Sequence, residues 1–134
     1  MEILCTLVEN GYTDFYVNGE YGIPFWTAEM LCALKLYHPK LRLHLVLPYP
    51  EHDTTWEQEL QERFQQVWKK ADTVSYAEPQ EMADCYETAD RIMCNASDLL
   101  VIFGTRNSNR SMVSYAGMQN VPVFSLKWEN LLTL

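Results

Sequence analysis

Positive charge is scarce in this sequence. Its 134 residues carry 10 Lys and Arg against 18 Asp and Glu, a formal net charge of −8 and a sequence pI of about 4.7. An acidic surface repels a phosphate backbone, so non-specific DNA or RNA binding is disfavoured, while one small anionic ligand in a local pocket is still allowed. Paired cysteines are lacking too. Cys5, Cys32, Cys85 and Cys94 include no C-x-x-C pair. Cys32 and Cys94 fall in apolar-periodic segments and read as buried thiols, which suits a reducing cytoplasm. The opening "MEILCTLVEN" has no basic region and no long apolar stretch, so no signal peptide is expected. No apolar run approaches the ~20 residues of a bilayer span, so no membrane partner is expected. His38, His44 and His52 are not spaced with carboxylates as a metal triad, and no metal or cofactor is expected. Neither G-x-S-x-G nor H-E-x-x-H occurs.

What is present is enough apolar residue, 48%, for the core of one domain over residues 1–134. Ile3, Leu4, Leu7 and Val8 mark one face of a short helix ended by Asn10-Gly11. Residues 13–17 read as a strand and 27–36 as a helix. Residues 41–50 read as a strand in which Leu41, Leu43, Leu45 and Leu47 alternate with Arg42, His44 and Val46. Thr54-Thr55 is expected to cap a helix from about 56 to 70 with Leu60, Phe64 and Val67 inward. A strand at 72–77 precedes a helix over 79–97 with Met82, Tyr86 and Met93 on its inner face. "LLVIFG", residues 99–104, is apolar throughout, as a strand covered on both faces would be. A helix over 112–118 and a strand over 122–126 follow. Alternating strands and helices predict an α/β three-layer sandwich with a mostly parallel sheet.

Ligands of such sheets bind beyond the carboxyl ends of the strands, which selects the loops 18–25, 48–53 and 104–111. In the first, Asn18-Gly19-Glu20-Tyr21-Gly22 stands between strand and helix, where backbone N–H groups attract phosphate and glycine lets a ligand approach. An ordinary turn needing glycine reads equally well, and no Lys-Ser/Thr ending makes it a P-loop. In the third, Gly104, Thr105, Arg106, Asn107, Ser108, Asn109, Arg110 and Ser111 place two guanidinium forks among small polar side chains, which suits phosphate or carboxylate. Tyr21, Trp26 and Tyr49 stand at loop edges, where a base can stack on them; for Trp26 a core position is the stronger reading. Arg91 is a further candidate contact, weighed against a surface ion pair with Glu87, Asp90 or Asp98.

These residues carry a resemblance. "GYTDFYVNGEYGIPFWTAEM", the "LVLPYP" strand with its helix, "CYETADRIMCNASDLLVIFG" and "SYAGMQNVPVFSL" match, in order, the segments of the YpsA-like branch of the SLOG superfamily. These Rossmann-like domains also include the DNA-processing DprA proteins and the Lonely-guy cytokinin-activating hydrolases. The resemblance implies a Rossmann-like fold that binds a nucleotide-derived small molecule. It also implies a first strand not seen in this chain, a gap to be filled by residues 128–134, by a changed strand order or by a second chain. The arginine and glutamate that act in the hydrolase branch fall nearest Ala89 and Met112, so no catalytic residue is expected. A copy of this kind would suit a sponge for an immune signal such as an ADP-ribose derivative or a cyclic nucleotide, as a phage in a bacterial cytoplasm would use. The alternatives are a residual glycosidic hydrolase using Glu20 or Glu29, and an interaction protein with a vestigial pocket. A homodimer or larger homo-oligomer is expected, joined by the N-terminal helix face and by Trp128, Leu131, Leu132 and Leu134.

Overall fold

Ten elements alternate along the chain in a computed structural model that describes residues 2–126. They are α1 (Glu2–Glu9), β1 (Asp14–Val17), α2 (Ile23–Leu34), β2 (Arg42–Leu47), α3 (Gln58–Lys70), β3 (Thr73–Tyr76), α4 (Cys85–Asn95), β4 (Leu100–Phe103), α5 (Arg110–Met118) and β5 (Val123–Leu126). Every strand pair is parallel, as the alternation requires. Among the described residues the strands form two sheets, β1-β2-β3 and β4-β5, where the sequence predicted one.

The pleat of β2 explains the core. Leu43, Leu45 and Leu47 point to one face and are buried with Phe25, Ala28 and Leu31 of α2 and Phe64 and Val67 of α3. Val46, on the opposite face, is also buried, and α4 packs against β2. The strand is thus covered on both sides over its carboxyl half.

Several predicted boundaries and faces change. α2 begins at Ile23, four residues before Thr27, because Pro24 fits the first turn and Phe25 is fully buried. Trp26 then lies on the outer side of that turn, 42% exposed, and is not core. The Thr54-Thr55 cap is not used. α3 starts after Glu57 with no side-chain cap, and Trp56 leaves the helix to pack on Phe25 and Phe64. In α4 the buried side chains are Cys85, Ala89 and Cys94, small groups that bring the helix close to β2. Tyr86 and Met93 are left at its flanks, and Met82 precedes the helix with 47% exposure. β4 is not covered on both faces, since Val101 is 37% exposed beside its cross-strand neighbour Phe124. The apolar face of α1 is no free patch: Leu4 is buried and Ile3 and Val8 pack on the chain's own core. The other segment expected at an interface, residues 128–134, lies outside the described residues.

Candidate functional site

β1 delivers Asn18 to the carboxyl edge of the first sheet, and Asn18 is buried there. Its side-chain oxygen accepts the Glu20 N–H at 2.9 Å, and its amide donates to Asp90 Oδ1 on α4 at 2.8 Å. The first bond turns the chain. The second ties the turn to a helix 72 residues away. Gly19 follows with φ 74°, in the left-handed region where a Cβ is disfavoured, and an added Cβ would also collide with the buried Leu47 side chain. The Gly19 carbonyl accepts a hydrogen bond from His52 Nε2–H at 2.9 Å, which fixes the proton on that nitrogen. His52 is buried against Tyr49, Trp56 and Phe64. The loop after β1 is therefore pinned by the loop after β2. Gly22 precedes α2 with φ 103°, while Glu20 and Tyr21 project to solvent.

The third loop closes largely on itself. Thr105 and Ser108 exchange hydrogen bonds, Thr105 N–H to Ser108 Oγ at 3.2 Å and Ser108 N–H to Thr105 Oγ1 at 3.0 Å. Asn109 donates to the Phe103 and Thr105 carbonyls. Gly104, at φ 88°, begins the turn. Arg106 reaches the Val123 carbonyl at 3.4 Å, a long bond that leaves its fork exposed. Asn107 and Arg110 are exposed, and among the described residues no ion pair engages Arg110.

α4 stands between the two loops. Asp90 holds Asn18 of the first, and Glu87, one turn earlier, accepts from Ser111 of the third at 3.4 Å. Positions i and i+3 lie on one helix face, so both loops meet the same stretch of α4. Arg91 forms the ion pair weighed for it, Nη2 to Glu87 Oε1 at 2.8 Å, with its guanidinium over the Tyr115 ring. Ala89 is fully buried and Met112 half-buried.

The electrostatics around the first loop are acidic. Burial raises the Asp90 carboxyl above its ordinary value. The Asn18 hydrogen bond works against this, and the nearby Glu20 and Glu87 add to it. Burial, with Tyr49, Glu20, Cys85 and Glu81 close by, pushes the Tyr86 hydroxyl up to about 12. Tyr49 is raised for the same reasons, burial first and then Glu81 and Cys85. Tyr49, Glu81, Met82, Ala83, Cys85 and Tyr86 line a cleft of about 380 Å³. His52, Glu81, Tyr86 and Asp90 were not singled out as site residues by the sequence, where no local pattern joins Asn18 to Asp90. Among the described residues, no group of three His, Cys, Asp or Glu side chains is arranged to hold a metal ion. No helix among them is long and apolar enough to cross a membrane.

Parallel strands joined by helices, with glycine turns at their carboxyl ends, define a Rossmann-like α/β domain. The model of the YspA SLOG family matches residues 1–124, and the chain belongs to that family. It is similar to a UPF0398 protein of Staphylococcus saprophyticus, 29% identical over 102 residues, covering 72% of this chain and 52% of the relative. A UPF0398 protein of Lysinibacillus sphaericus is 27% identical over 104 residues, 75% of this chain and 58% of its own. One of Halalkalibacterium halodurans is 28% identical over 71 residues, 53% of this chain and 38% of its own. The chain thus matches between 38% and 58% of the length of these relatives.

Proposed function

We propose that this SLOG domain binds a nucleotide-derived small molecule without turning it over. The observation that carries the reading is the built turn at Gly19. Asn18, His52 and Asp90 fix it from the loops after β1 and β2 and from α4, at the carboxyl edge of a parallel sheet. A turn held in this way beneath the exposed Glu20 and Tyr21 suits a ligand contact, since ordering is met in folding and not at binding. The exposed forks of Arg106 and Arg110 face no carboxylate among the described residues and suit a phosphate. Ala89 and Met112 offer no ionisable group where the hydrolase resemblance would need one. Sequestration of a nucleotide signal, such as an ADP-ribose derivative or cyclic nucleotide, follows as the role of a binder without turnover.

Calorimetry with ADP-ribose, its cyclic derivatives and cyclic dinucleotides tests this. Arg106→Ala and Arg110→Ala should each weaken the binding about ten- to a hundredfold, the loss of a charged hydrogen bond. Chromatography of the mixture should return the ligand intact; release of free base, abolished by Glu20→Gln, would establish a hydrolase instead. The same proposal includes self-association, favoured by the exposed Val101–Phe124 pair on the β4-β5 sheet. Light scattering should give at least twice 15.7 kDa, and a stable monomer would remove that part.

A further inference from the structure

The cleft beside the first loop has a chemistry that a phosphate does not explain. Its lining contains two tyrosine rings, a methionine, a cysteine and one carboxylate, with no lysine or arginine. The groups acting most strongly on Tyr86 are Tyr49, Glu20, Cys85 and Glu81, none of them basic. Glu20 opens the loop side of the same region, and Asp90 lies behind Asn18. Half-buried tyrosine rings beside Glu81, with Glu20 near by, attract a cation through both the ring quadrupole and the carboxylates. The cleft, of about 380 Å³, is open to solvent.

We propose that this cleft takes a positively charged nucleobase, an N-alkylated pyridinium or purinium ring, with Tyr49 and Tyr86 against the ring and Glu81 as its counter-charge. The inference rests on the reading of the chain as a nucleotide binder and narrows the ligand class. A ligand of this class would place its cationic base between α4 and the loop after β2. Its phosphate, where it has one, would extend away from Glu20 and Glu81. Neutral bases lose the charge term and keep only stacking, so the cleft selects by base charge.

The test uses the intact chain and a pair of probes that share one skeleton. Nicotinamide riboside carries a pyridinium; its 1,4-dihydro form is neutral, and neither has a phosphate. Calorimetry or ligand-observed NMR should show the cationic form binding about tenfold tighter than the neutral one. Added salt should weaken the cationic form and leave the neutral one nearly unchanged. Glu81 is exposed, so Glu81→Gln leaves the fold intact and should remove most of the preference, while Tyr49→Leu should weaken both forms. Equal binding of the two forms, no saturable binding of the cationic form, or an unchanged preference in Glu81→Gln overturns the inference. If ADP-ribose still binds in that case, the proposed function stands without it. If no nucleotide binds, both fall.

Discussion

Gly19 and Asp90 show opposite uses of a single residue. At Gly19 the backbone lies at φ 74° and the space of a Cβ is filled by Leu47, itself buried. Gly19→Ala therefore combines left-handed strain with a core clash and should cost about 2–4 kcal/mol, read as a lowered urea midpoint. Asp90 works the other way. Its folded-state pKa is raised, chiefly by burial, so the native state holds a proton more tightly than the unfolded chain. Stability then falls as pH rises from the ordinary 3.8 through the raised value, and the cost is present at neutral pH. Asp90→Asn keeps an oxygen for the Asn18 amide and removes the charge. It should stabilise the protein at pH 7 by on the order of 1 kcal/mol, a gain that vanishes below the unfolded value. Thermal unfolding of both proteins across that range checks the sign. Gly19 was legible in the sequence as a turn glycine. The Asn18–Asp90 pair was not, because 72 residues separate its members and only the fold brings them together.

At the scale of the element, the docking of β3 illustrates how little holds an edge strand. Its burial is slight, and its parallel ladder with β2 is supplemented by Asp72, whose carboxylate accepts the Leu43 N–H and the Lys35 ammonium, each at 2.7 Å. Burial pushes the Asp72 carboxyl up, but Lys35 and the Leu43 N–H more than offset this, and its pKa is lowered. A lowered carboxylate contributes stability above the unfolded value of 3.8, and that stability is lost as pH falls through the folded value. The side chain is 36% exposed, so solvent screening trims the effect. Asp72→Ala should cost about 1 kcal/mol at pH 7 and progressively less in acid, measured by denaturant titration at several pH values. Element types were largely legible, since the alternation in β2 and the spacing of Leu60, Phe64 and Val67 in α3 are direct records of burial. Helix starts were less so. α2 and α3 begin where Phe25 and Trp56 find places in the core, a tertiary choice that Thr54 and Thr55 do not announce.

Buried apolar contact is unevenly distributed over the described residues. One continuous cluster joins α1, α2, α3 and the β1-β2-β3 sheet, and includes the fully buried Phe25, Leu31, Leu43 and Leu45. Among the described residues the second sheet buries only Ile102 and Leu126 on its strands and Ala116 on α5, none of them in that cluster. Local opening is cheapest where buried apolar contact is least, so the β4-β5 unit should open before the first sheet. Native-state hydrogen exchange should give the amides of Ile102 and Ser125 a lower opening free energy than those of Leu43 and Leu45. Equal protection, converging on one global value, would show a single cooperative unit instead. The division bears on the proposed binding because the third loop, with Arg106 and Arg110, is carried by the less buried unit, and the Gly19 turn by the more buried one. α4 couples them through Asp90 to Asn18 and Glu87 to Ser111. A ligand touching both loops binds only the closed arrangement, and it stabilises that arrangement by RT ln(1 + [L]/Kd). At a concentration a hundred times Kd this is about 2.7 kcal/mol, enough to slow exchange in β4 and β5 about a hundredfold if opening releases the ligand. Where global unfolding limits exchange in β2, that exchange should slow in step with the gain in global stability. ADP-ribose that leaves β4 and β5 exchange unchanged at saturation would mean that the ligand contacts the Gly19 side alone.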